Sequence, residues 1–330
     1  MVITRTPYRI SFFGGGTDYP DWYREHGGMV LSSTINKYCH ITCRYLPPYF
    51  PYKFLLRYYL REETNTIDEI KHPSIRECFK FLKIDRGVEV VHAGDIPAQS
   101  GMGSSSAFTV GLLTALHGLL GHIATKRQIA REALHVEQEM IRENVGSQDQ
   151  VASAFGGLNK IEFGQERDFY VSPLPLNAER LKLFHSHLML VFTGFARNAS
   201  DIAAEQIKKI GDKKSELNLL KEMVCEAVSI LQGASFNMNE FGKMLHESWK
   251  IKRSITNLIS TDNIDSIYRA ARDAGALGGK LLGAGGGGFL LLFVPPEHQL
   301  RVKEQLNGFL NVPFHFENLG SQIVFYATQE

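Results

Sequence analysis

Three glycine-rich stretches constrain this chain more than any other feature of its sequence. They are PYRISFFGGGTDYP at 7–20, IPAQSGMGSSSAF at 96–108 and KLLGAGGGGFLLLF at 280–293. Glycine adopts positive φ readily and, because it has no Cβ, it lets a backbone approach a ligand or another segment closely. The fold of this chain must therefore contain three tight or close-packed turns, each beside apolar or β-branched residues.

The middle stretch places two glycines and a run of serines directly before an alanine- and leucine-rich segment. That pattern is typical of a turn followed by a helix start, with Ser104 or Ser105 as the capping residue. The first N–H groups of such a helix and the positive end of its dipole also favour a bound phosphate. Taken alone, this stretch fits a capped helix and an anion site equally well.

Two common nucleotide-binding motifs are rejected. The run GAGGGG at 283–288 matches G-x-G-x-x-G, but a dinucleotide-binding fold needs a strand before that loop and a helix after it. Here we expect a helix before the loop and the strand FLLLFV after it. A Walker A loop also fails, because Leu281 follows Lys280 where Ser or Thr is required.

The composition is that of an ordinary globular protein without a strong charge bias. The chain has 330 residues, 44% of them hydrophobic, with 36 Lys plus Arg against 35 Asp plus Glu. This balance argues against nucleic acid or a membrane surface as a partner. No apolar run approaches the roughly 20 residues that span a bilayer. The N-terminus lacks the pattern of a signal peptide, so we expect a cytoplasmic protein.

The element patterns predict an α+β fold in two domains. Short β-branched and aromatic runs in the first 60 residues predict strands, and helical patterns follow at 105–120 and 126–143. The two prolines of VSPLPLN mark a linker, because each restrains its predecessor and interrupts strand pairing. Beyond it we expect a strand region at 181–194, then helices to about residue 275, then closing strands.

Together, the three stretches resemble the signature motifs of the GHMP kinases, the small-molecule kinases of galactose, homoserine, mevalonate and phosphomevalonate. The middle stretch is similar to their P-x-x-x-G-L-G-S-S phosphate loop, with Met102 in place of Leu. The third is similar to their G-A-G-x-G-G motif, and GSQDQ at 146–150 stands where sugar kinases of the family have G-x-x-D-Q. The resemblance covers residues 3–293, nearly the whole chain.

This resemblance implies the two-domain GHMP kinase fold. Residues 1–175 would form an N-terminal ATP-binding domain like domain 2 of ribosomal protein S5, and residues 176–330 a ferredoxin-like α/β domain. It also implies a phosphotransferase that uses ATP and Mg²⁺ and acts on an alcohol group. Within the family, PYRISFFGGGTDYP and FTGFARNAS most resemble the branch that phosphorylates D-glycero-D-manno-heptose 7-phosphate. That branch acts at the anomeric hydroxyl and gives the 1,7-bisphosphate for nucleotide-activated heptose synthesis.

Other substrates and roles are weighed against that implication. Galactokinases carry Glu-His before the Thr-Asp of the first stretch, whereas this chain has Gly15 and Gly16, which argues against galactose. A kinase of a neutral sugar such as L-fucose stays open. So does a non-catalytic sugar sensor of the same fold, although a sensor is expected to lack part of the catalytic set. A homodimer is one assembly that also stays open.

The resemblance also implies the catalytic roles. Asp149 would be the base that takes the proton from the sugar hydroxyl, and Arg9 the cation beside it that stabilises transferring charge. Glu137 and Ser105 would bind Mg²⁺ together with phosphates and water. Without the resemblance, Asp149 is equally a helix-capping residue, Arg9 a surface cation and Glu137 an exposed carboxylate paired with Lys or Arg.

The binding residues follow from the same three stretches. The nucleotide phosphates are expected on Gly101, Met102, Gly103, Ser104, Ser105 and Ser106 of the middle stretch. The acceptor sugar is expected on Gly15, Gly16 and Asp18 of the first stretch and on Gly285 and Gly286 of the third. A phosphorylated acceptor also needs a cation for its own phosphate. Arg197 is the first candidate, and the KIKR cluster at 250–253 is a weaker one.

Overall fold

Two β-sheets organise the protein in this computed structural model, which describes residues 1–165, 168–194 and 199–328. Within those residues the first sheet has nine strands and the second has four. The strands of the first sheet are β1 (Val2–Phe13), β2 (Gly28–Tyr45), β3 (Phe54–Arg57), β4 (Arg61–Thr64), β5 (Val88–Gly94), β6 (Leu158–Phe163), β7 (Phe169–Pro173), β12 (Phe316–Glu317) and β13 (Gln322–Tyr326). Those of the second sheet are β8 (Leu188–Phe192), β9 (Gly278–Leu281), β10 (Phe289–Phe293) and β11 (Leu310–Asn311).

The antiparallel pair of β1 and β2 is the centre of the first sheet. Both strands are rich in β-branched and aromatic residues, which suit a pleated and half-buried surface. β2 is 18 residues long, so its second edge is shared in turn by β6, β12 and β5. β13 pairs with the other edge of β1. The last strands of the chain therefore complete the sheet that its first strands begin.

Helices cover both sheets. In chain order they are α1 (Pro20–His26), α2 (Pro73–Phe81), α3 (Ser104–Leu119), α4 (Lys126–His135), α5 (Gln148–Phe155), α6 (Ala178–Ser186), α7 (Ala199–Lys209), α8 (Lys214–Gln232), α9 (Met238–Ile255), α10 (Asp262–Asp273) and α11 (Gln299–Gln305). α3 is apolar on nearly every face, as a helix buried on all sides must be, and it packs against β1 and β2. Gly111 allows this close approach, since a Cβ there would lie 2.7 Å from Thr6 Oγ1.

A cluster of buried phenylalanines joins the two sheets. Phe12 of β1 lies 5.2 Å from Phe184 of α6, measured between ring centroids. Phe184 contacts Phe241 of α9 at 5.0 Å, and Phe241 contacts Phe293 of β10 at 5.4 Å. Tilted and edge-on aromatic contacts of this kind bury large apolar areas. The first sheet, the second sheet and the helices of the second half therefore share one apolar core.

The α+β expectation is confirmed, but two predicted elements are wrong in part. The first half of the strand region expected at 181–194 is helical: α6 ends at Ser186, and β8 begins only at Leu188. Asn177 caps α6 by accepting a hydrogen bond from the Arg180 N–H at 2.8 Å. The helix expected at 126–143 passes at residue 135 into a single π-helical turn, Val136–Met140. Turns of this kind are frequent at functional sites.

The division into residues 1–175 and 176–330 stays a prediction. It falls in the connection between β7 and α6, where the chain passes from the first sheet to the second. A cut there would separate β12 and β13 from the sheet to which they hydrogen-bond. The two sheets are therefore distinct, but no single boundary in the sequence separates them, because β12 and β13 follow the strands of the second sheet and belong to the first.

The third glycine-rich stretch forms the turn of a β-hairpin between β9 and β10. The prediction of a helix before this loop is therefore wrong, because the strand β9 precedes it. The dinucleotide-binding fold is still excluded, because that fold needs a helix after the loop and the strand β10 follows instead. The hairpin lies directly against the middle stretch. A Cβ at Gly283 would lie 2.6 Å from the Cα of Gly101, and one at Gly288 would lie 2.1 Å from the Ser100 carbonyl oxygen.

The helices have the amphipathic character of helices that cover a sheet. α8 and α9 are the longest among those described, with 19 and 18 residues, and each carries charged side chains on its outer face. Their buried faces are apolar, as the packing of a sheet-covering helix requires, except for Ser248 and Lys252 of α9. Over the described part of the chain, no helix combines the length and apolar character needed to cross a membrane.

The contact between the two glycine loops should be sensitive to a single methyl group. Gly283→Ala places a Cβ 2.6 Å from the Gly101 backbone at a φ of +77°. We expect it to lower the free energy of unfolding by about 2 kcal/mol or more beyond the cost of the φ itself. Gly121→Ala is the matched control, because Gly121 has a φ of +72° and no atom within 4 Å of the added Cβ.

The control should lose only about 1 kcal/mol, the cost of a left-handed conformation for a residue with a Cβ. Denaturant unfolding of both variants and the wild type measures the difference. Equal losses in the two variants would contradict the tight contact between the two loops.

Candidate active site

A cavity of about 650 Å³ lies where the three glycine-rich stretches meet. Ten of the predicted site residues line it: Arg9, Gly15, Gly16, Asp18, Gly101, Gly103, Ser104, Ser105, Ser106 and Asp149. Met102 and Glu137 are buried and do not line the wall. A cavity of this size suits a nucleotide or another small molecule. The structure therefore brings most of the predicted site together from positions far apart in the sequence.

Arg9 and Asp149 form a bidentate ion pair at the centre of the cavity wall. Arg9 Nε donates to Asp149 Oδ1 at 2.6 Å, and Arg9 Nη2 donates to Oδ2 at 2.6 Å. The remaining guanidinium nitrogen, Nη1, donates to the Gly101 carbonyl oxygen at 2.7 Å. Arg9 is only 2% exposed, so the surface cation considered as its alternative is excluded. The pair holds the carboxylate in a fixed orientation beside the middle loop.

The middle stretch is a loop that leads directly into α3. Its N-cap is Gly103, with a φ of +75°, so neither Ser104 nor Ser105 caps the helix as expected. A Cβ at Gly103 would lie 3.1 Å from Asp149 Oδ2, which explains why glycine suits this position. The N-terminus of α3, a helix of 16 residues, opens into the cavity. Its first N–H groups lack intrahelical partners and are suited to an anion.

Glu137 is buried in the π-helical turn rather than exposed. Its Oε2 accepts hydrogen bonds from Ser106 Oγ at 2.9 Å and from Gln150 Nε2 at 2.5 Å. The residue beside Glu137 is thus Ser106, whereas the predicted partner, Ser105, is exposed. Glu137 Oε1 is buried and has no hydrogen-bond partner in the described structure. Burial raises the pKa of this carboxyl to about 7, as expected for a carboxylate kept from water.

This pair of oxygen donors fits a hard cation only in part. A carboxylate oxygen without a partner and a neighbouring hydroxyl are ligand types that Mg²⁺ accepts. The described residues contain no cluster of three or more His, Cys, Asp or Glu side chains that would hold a metal by themselves. A bound Mg²⁺ would therefore need phosphate oxygens and water to complete its ligands, which is usual for nucleotide-dependent enzymes.

Asp18 is buried in the turn that follows β1. Its Oδ1 accepts a hydrogen bond from the Gly16 N–H at 2.9 Å, and its Oδ2 accepts one from the Gln148 N–H at 3.3 Å. The second contact ties Asp18 to the start of α5, which carries Asp149. Burial raises the pKa of Asp18, and the Gly16 N–H partly opposes that rise. Asp18 therefore shapes the turn and also faces the cavity.

Two buried lysines also reach the cavity wall. Lys252 of α9 is 7% exposed and Lys280 of β9 is 6% exposed. Burial lowers the pKa of Lys252 to about 8, and burial with the nearby Lys252 lowers the pKa of Lys280 to about 7. Lys252 belongs to the KIKR cluster, which the sequence treated as a weak candidate. Lys280 was missed, because only its position in the fold distinguishes it from a surface lysine.

The third stretch contributes less to the cavity than expected. Gly283 and Ala284 line it, whereas Gly285 and Gly286 lie against Ile259. The Gly286 N–H donates to the Ile259 carbonyl oxygen at 3.0 Å. The predicted role of these two glycines in acceptor binding is thus not supported by their position. Arg197, the first candidate for the acceptor phosphate, lies outside the described residues.

The opposite end of the cavity is aromatic, a feature that sequence reasoning missed. His72 stacks on Phe108 with ring centroids 4.6 Å apart, and His92 meets the edge of Phe108 at 5.1 Å. Tyr58 packs edge-on against His72 at 4.8 Å. All four line the cavity. Flat apolar surfaces of this kind suit a planar ring. In the sequence they lie on separate elements, so no local pattern connects them.

Two parts of the chain match profiles of the same protein family. The profile of the GHMP kinases N terminal domain matches residues 70–157, and that of the GHMP kinases C terminal matches residues 229–312. A D-glycero-alpha-D-manno-heptose 7-phosphate kinase of Campylobacter jejuni is 31% identical, over 89% of this chain and 90% of that protein. An L-fucokinase/L-fucose-1-P guanylyltransferase of Bacteroides fragilis is 27% identical, over 93% of this chain but 36% of its own length.

Solved structures of the family share the fold. A D-glycero-D-manno-heptose 1-phosphate kinase from Bacteroides thetaiotaomicron superposes with a TM-score of 0.81 at 22% identity, covering 99% of this chain and 100% of the other. A Lactococcus lactis galactokinase complexed with galactose gives 0.73 at 18% identity, covering 98% and 95%. Likeness at these identities concerns the fold, and it confirms the fold class expected from the three stretches.

The buried lysines should make stability depend on pH. Burial lowers the pKa of Lys280 to about 7, whereas an unfolded lysine titrates near ~10.4. Between those values the unfolded chain holds a proton that the folded chain has released, so the free energy of unfolding rises with pH. From about pH 7 to about pH 8.5 the wild type should gain about 1–2 kcal/mol relative to Lys280→Met. Urea unfolding across that range measures the gain.

Lys250→Met is the matched control. Lys250 lies on the same helix as Lys252, but it is exposed and pairs with Glu247 at 2.9 Å. Its difference in stability from the wild type should stay constant over the same pH range. A constant difference for Lys280→Met as well would show that Lys280 keeps an ordinary pKa in the folded protein.

Proposed function

The chain belongs to the GHMP kinase family, and from that membership we propose the reaction and the residues that perform it. The proposed reaction transfers the γ-phosphoryl group of ATP, with Mg²⁺, to the anomeric hydroxyl of D-glycero-D-manno-heptose 7-phosphate and gives the 1,7-bisphosphate. Support for this acceptor comes from the Campylobacter jejuni relative that carries the name of this substrate, at 31% identity over 90% of its length.

One observation carries the proposal that the site is catalytic. Arg9 holds the Asp149 carboxylate through hydrogen bonds from Nε and Nη2. This carboxylate lies beside the loop that leads into α3, and it faces the same cavity as Asp18. Phosphoryl transfer needs a positioned acceptor hydroxyl, donors for the phosphate charge and a group that takes the proton. In this proposal Asp149 takes the proton, Asp18 positions the acceptor, and the first N–H groups of α3 meet the phosphate charge, and all of these line one cavity. This complete set argues against a sensor that has lost catalysis.

The nucleotide is proposed to lie along the middle of the cavity. Its phosphates would meet the first N–H groups of α3 and the backbone of Gly101–Gly103, where the helix dipole favours anions. Its base would lie against the rings of Tyr58, His72 and Phe108 at the aromatic end. Such an arrangement points the terminal phosphoryl group toward Arg9 and Asp149.

In the proposed transfer, Asp149 accepts the proton of the acceptor hydroxyl while that oxygen bonds to the γ-phosphorus. The bond between the γ-phosphorus and the bridging oxygen breaks, and ADP leaves with the electron pair. Arg9 fixes the Asp149 carboxylate through two hydrogen bonds of 2.6 Å, so the base is oriented before substrate binds. The same guanidinium would also act on the charge that develops on the transferring group, although its three nitrogens already bind Asp149 and Gly101.

Mg²⁺ would be held by Glu137 and Ser106, together with phosphate oxygens of the nucleotide. When bound, such an ion neutralises charge on the β- and γ-phosphates. Glu137 does not itself line the cavity, but its carboxylate accepts a hydrogen bond from Ser106, which does, and its Oε1 has no hydrogen-bond partner in the described structure. Ser105, the ligand that the family resemblance implies, lies at the exposed side of the same helix turn.

A neutral sugar is the second candidate acceptor. The Bacteroides fragilis relative named L-fucokinase/L-fucose-1-P guanylyltransferase matches 93% of this chain. Asp18 would accept hydrogen bonds from the hydroxyls of either kind of sugar. Gly15 and Gly16 leave the adjoining wall without side chains, whatever the acceptor.

Replacing the proposed base should separate chemistry from binding. Asp149→Asn keeps the size of the side chain but cannot take up the proton, so kcat should fall by about 10²–10⁴. The affinity for ATP, measured by calorimetry, should stay at the wild-type value. Asp168→Asn is the control, since Asp168 also pairs with Arg131, at 3.1 Å, and does not line the cavity. Near-wild-type turnover in Asp149→Asn would remove Asp149 from the mechanism.

The acceptor itself is tested by ADP release with Mg²⁺ and ATP across heptose 7-phosphate, mannose 6-phosphate, L-fucose, galactose and mevalonate. Heptose 7-phosphate should exceed the others in kcat/KM by about a hundredfold or more, because a site that pairs polar groups rejects analogues that lack them. Preference for L-fucose would keep the kinase but overturn the phosphorylated acceptor. Silence across the panel with ATP still bound would favour a sensor.

A further inference from the structure

We propose that Lys252, Lys280 and Ser11 form the site for the phosphate group that the acceptor sugar already carries, above the open backbone of Gly15 and Gly16. This inference rests on the proposed function, because it gives a place to the second phosphate of that acceptor. Ser11 and Lys280 lie in the first and third glycine-rich stretches, but the family resemblance assigns neither of them a role, and Lys252 belongs to the KIKR cluster that the sequence offered as a weaker candidate.

The two ammonium groups converge on consecutive glycines. Lys280 reaches them from β9 of the second sheet, and Lys252 from α9, which packs against β9. A Cβ at Gly16 would lie 3.2 Å from Lys252 Nζ, and a Cβ at Gly15 would lie 3.8 Å from Lys280 Nζ. The space that side chains would fill at these positions is thus bordered by two cations. Any larger residue at Gly16 would press against the Lys252 ammonium.

Within the described residues, neither lysine has a carboxylate as a direct partner. Lys252 Nζ donates to Gln206 Oε1 at 2.9 Å and to the Gly15 carbonyl oxygen at 3.2 Å. Lys280 Nζ has one long hydrogen bond, 3.4 Å to the Phe12 carbonyl oxygen. Within the described part of the chain, neither hydrogen-bonds to a carboxylate. Asp18 is the nearby carboxylate whose charge raises the pKa of both lysines, and burial outweighs its effect. Buried charges are normally paired, because leaving them unpaired costs several kcal/mol each. Here burial without such a partner lowers the pKa of both lysines, and an anion bound between them from outside the chain would favour their charged forms.

A neutral donor completes the set. The Ser11 hydroxyl is buried, lines the cavity and has no hydrogen-bond partner in the described structure. It lies 3.7 Å from the position of a Cβ at Gly15, as close as Lys280 Nζ. Two ammonium groups and one hydroxyl around an open pocket match the oxygens of a phosphate dianion. A neutral sugar offers no charge that would offset the two lysines.

This place differs from the one proposed for the nucleotide phosphates, which lie at the N-terminus of α3. The two sources of phosphate nevertheless share their chemistry, so the experiment must distinguish them. It does so by removing the phosphate from the acceptor instead of from the nucleotide. Replacing a lysine that binds the acceptor phosphate should change the kinetics only with the phosphorylated acceptor. Replacing a lysine that contacts the transferred phosphoryl group should change the kinetics with every acceptor.

The test is a cycle of enzyme variants and paired acceptors. KM and kcat are measured at saturating Mg²⁺ and ATP for heptose 7-phosphate and for the same heptose without its phosphate, in the wild type, Lys252→Met and Lys280→Met. For heptose 7-phosphate, KM should rise by about a hundredfold in each variant with kcat nearly unchanged. For the unphosphorylated heptose, kcat/KM should change by less than about threefold. Lys250→Met, an exposed charge on the same helix, should match the wild type with both acceptors.

Equal losses on the two acceptors would overturn the inference, since the lysines would then serve the transferred group or the structure of the site. If the wild type itself does not turn over heptose 7-phosphate, the proposed function fails, and the lysines are tested apart from it. Inorganic phosphate is then titrated calorimetrically with the nucleotide site filled by a non-hydrolysable ATP analogue. If the wild type binds phosphate and Lys252→Met and Lys280→Met do not, the anion site stands. If the wild type does not bind phosphate, or if the variants bind it as well as the wild type does, the anion site is excluded.

Discussion

The bidentate ion pair between Arg9 and Asp149 is the contact around which the rest of the site is arranged. Arg9 projects from β1 and Asp149 from the first turn of α5, 140 residues later in the chain. The third donor of the same guanidinium holds the Gly101 carbonyl oxygen, so one side chain sets the distance between the carboxylate and the phosphate loop. A buried pair of this kind adds little net stability, because desolvation offsets the attraction. Its effect is to give the carboxylate a single orientation.

The geometry of that pair requires backbones without side chains around it. Gly103 leaves room for Asp149, and Gly283 lets the hairpin between β9 and β10 lie against Gly101. The hairpin in turn brings Lys280 to the cavity, since that residue lies on β9. The glycine-rich stretches therefore have two roles. At the start of α3 they expose N–H groups, while elsewhere they allow two segments of backbone to touch.

The sequence alone predicted those parts of the site that depend on motifs. Arg9, Asp18 and Asp149 could be found because each lies in a stretch whose spacing is tied to a known loop. The resemblance implies Ser105 as the partner of Glu137, but Ser106 contacts it in the structure, because a run of three serines does not show which side of α3 faces the π-helical turn. That turn interrupts the regular helix at residue 135, which shifts Glu137 relative to an ideal helix.

Other features could not be predicted because they depend on tertiary contacts. The segment before β8 contains alternating apolar residues, as a strand does, but Asn177 caps it as a helix, and Phe184 packs into the aromatic cluster between the sheets. Lys252 and Lys280 look like surface lysines in sequence, because their burial results from elements that meet only in the folded chain. No local pattern distinguishes a buried lysine from an exposed one.

The charge distribution of the cavity links these findings. The whole chain is nearly neutral, with a formal net charge of +1, yet the wall near Gly15 and Gly16 holds Arg9, Lys252 and Lys280 against Asp18 and Asp149. Arg9 is neutralised by Asp149, and burial raises the pKa of Asp18, which weakens it as a counter-charge for the lysines. Beside Gly15 and Gly16, Lys252 and Lys280 thus have only Asp18 as a nearby carboxylate and no direct ion pair within the described residues. A substrate with its own phosphate resolves this imbalance, and a neutral sugar leaves it in place.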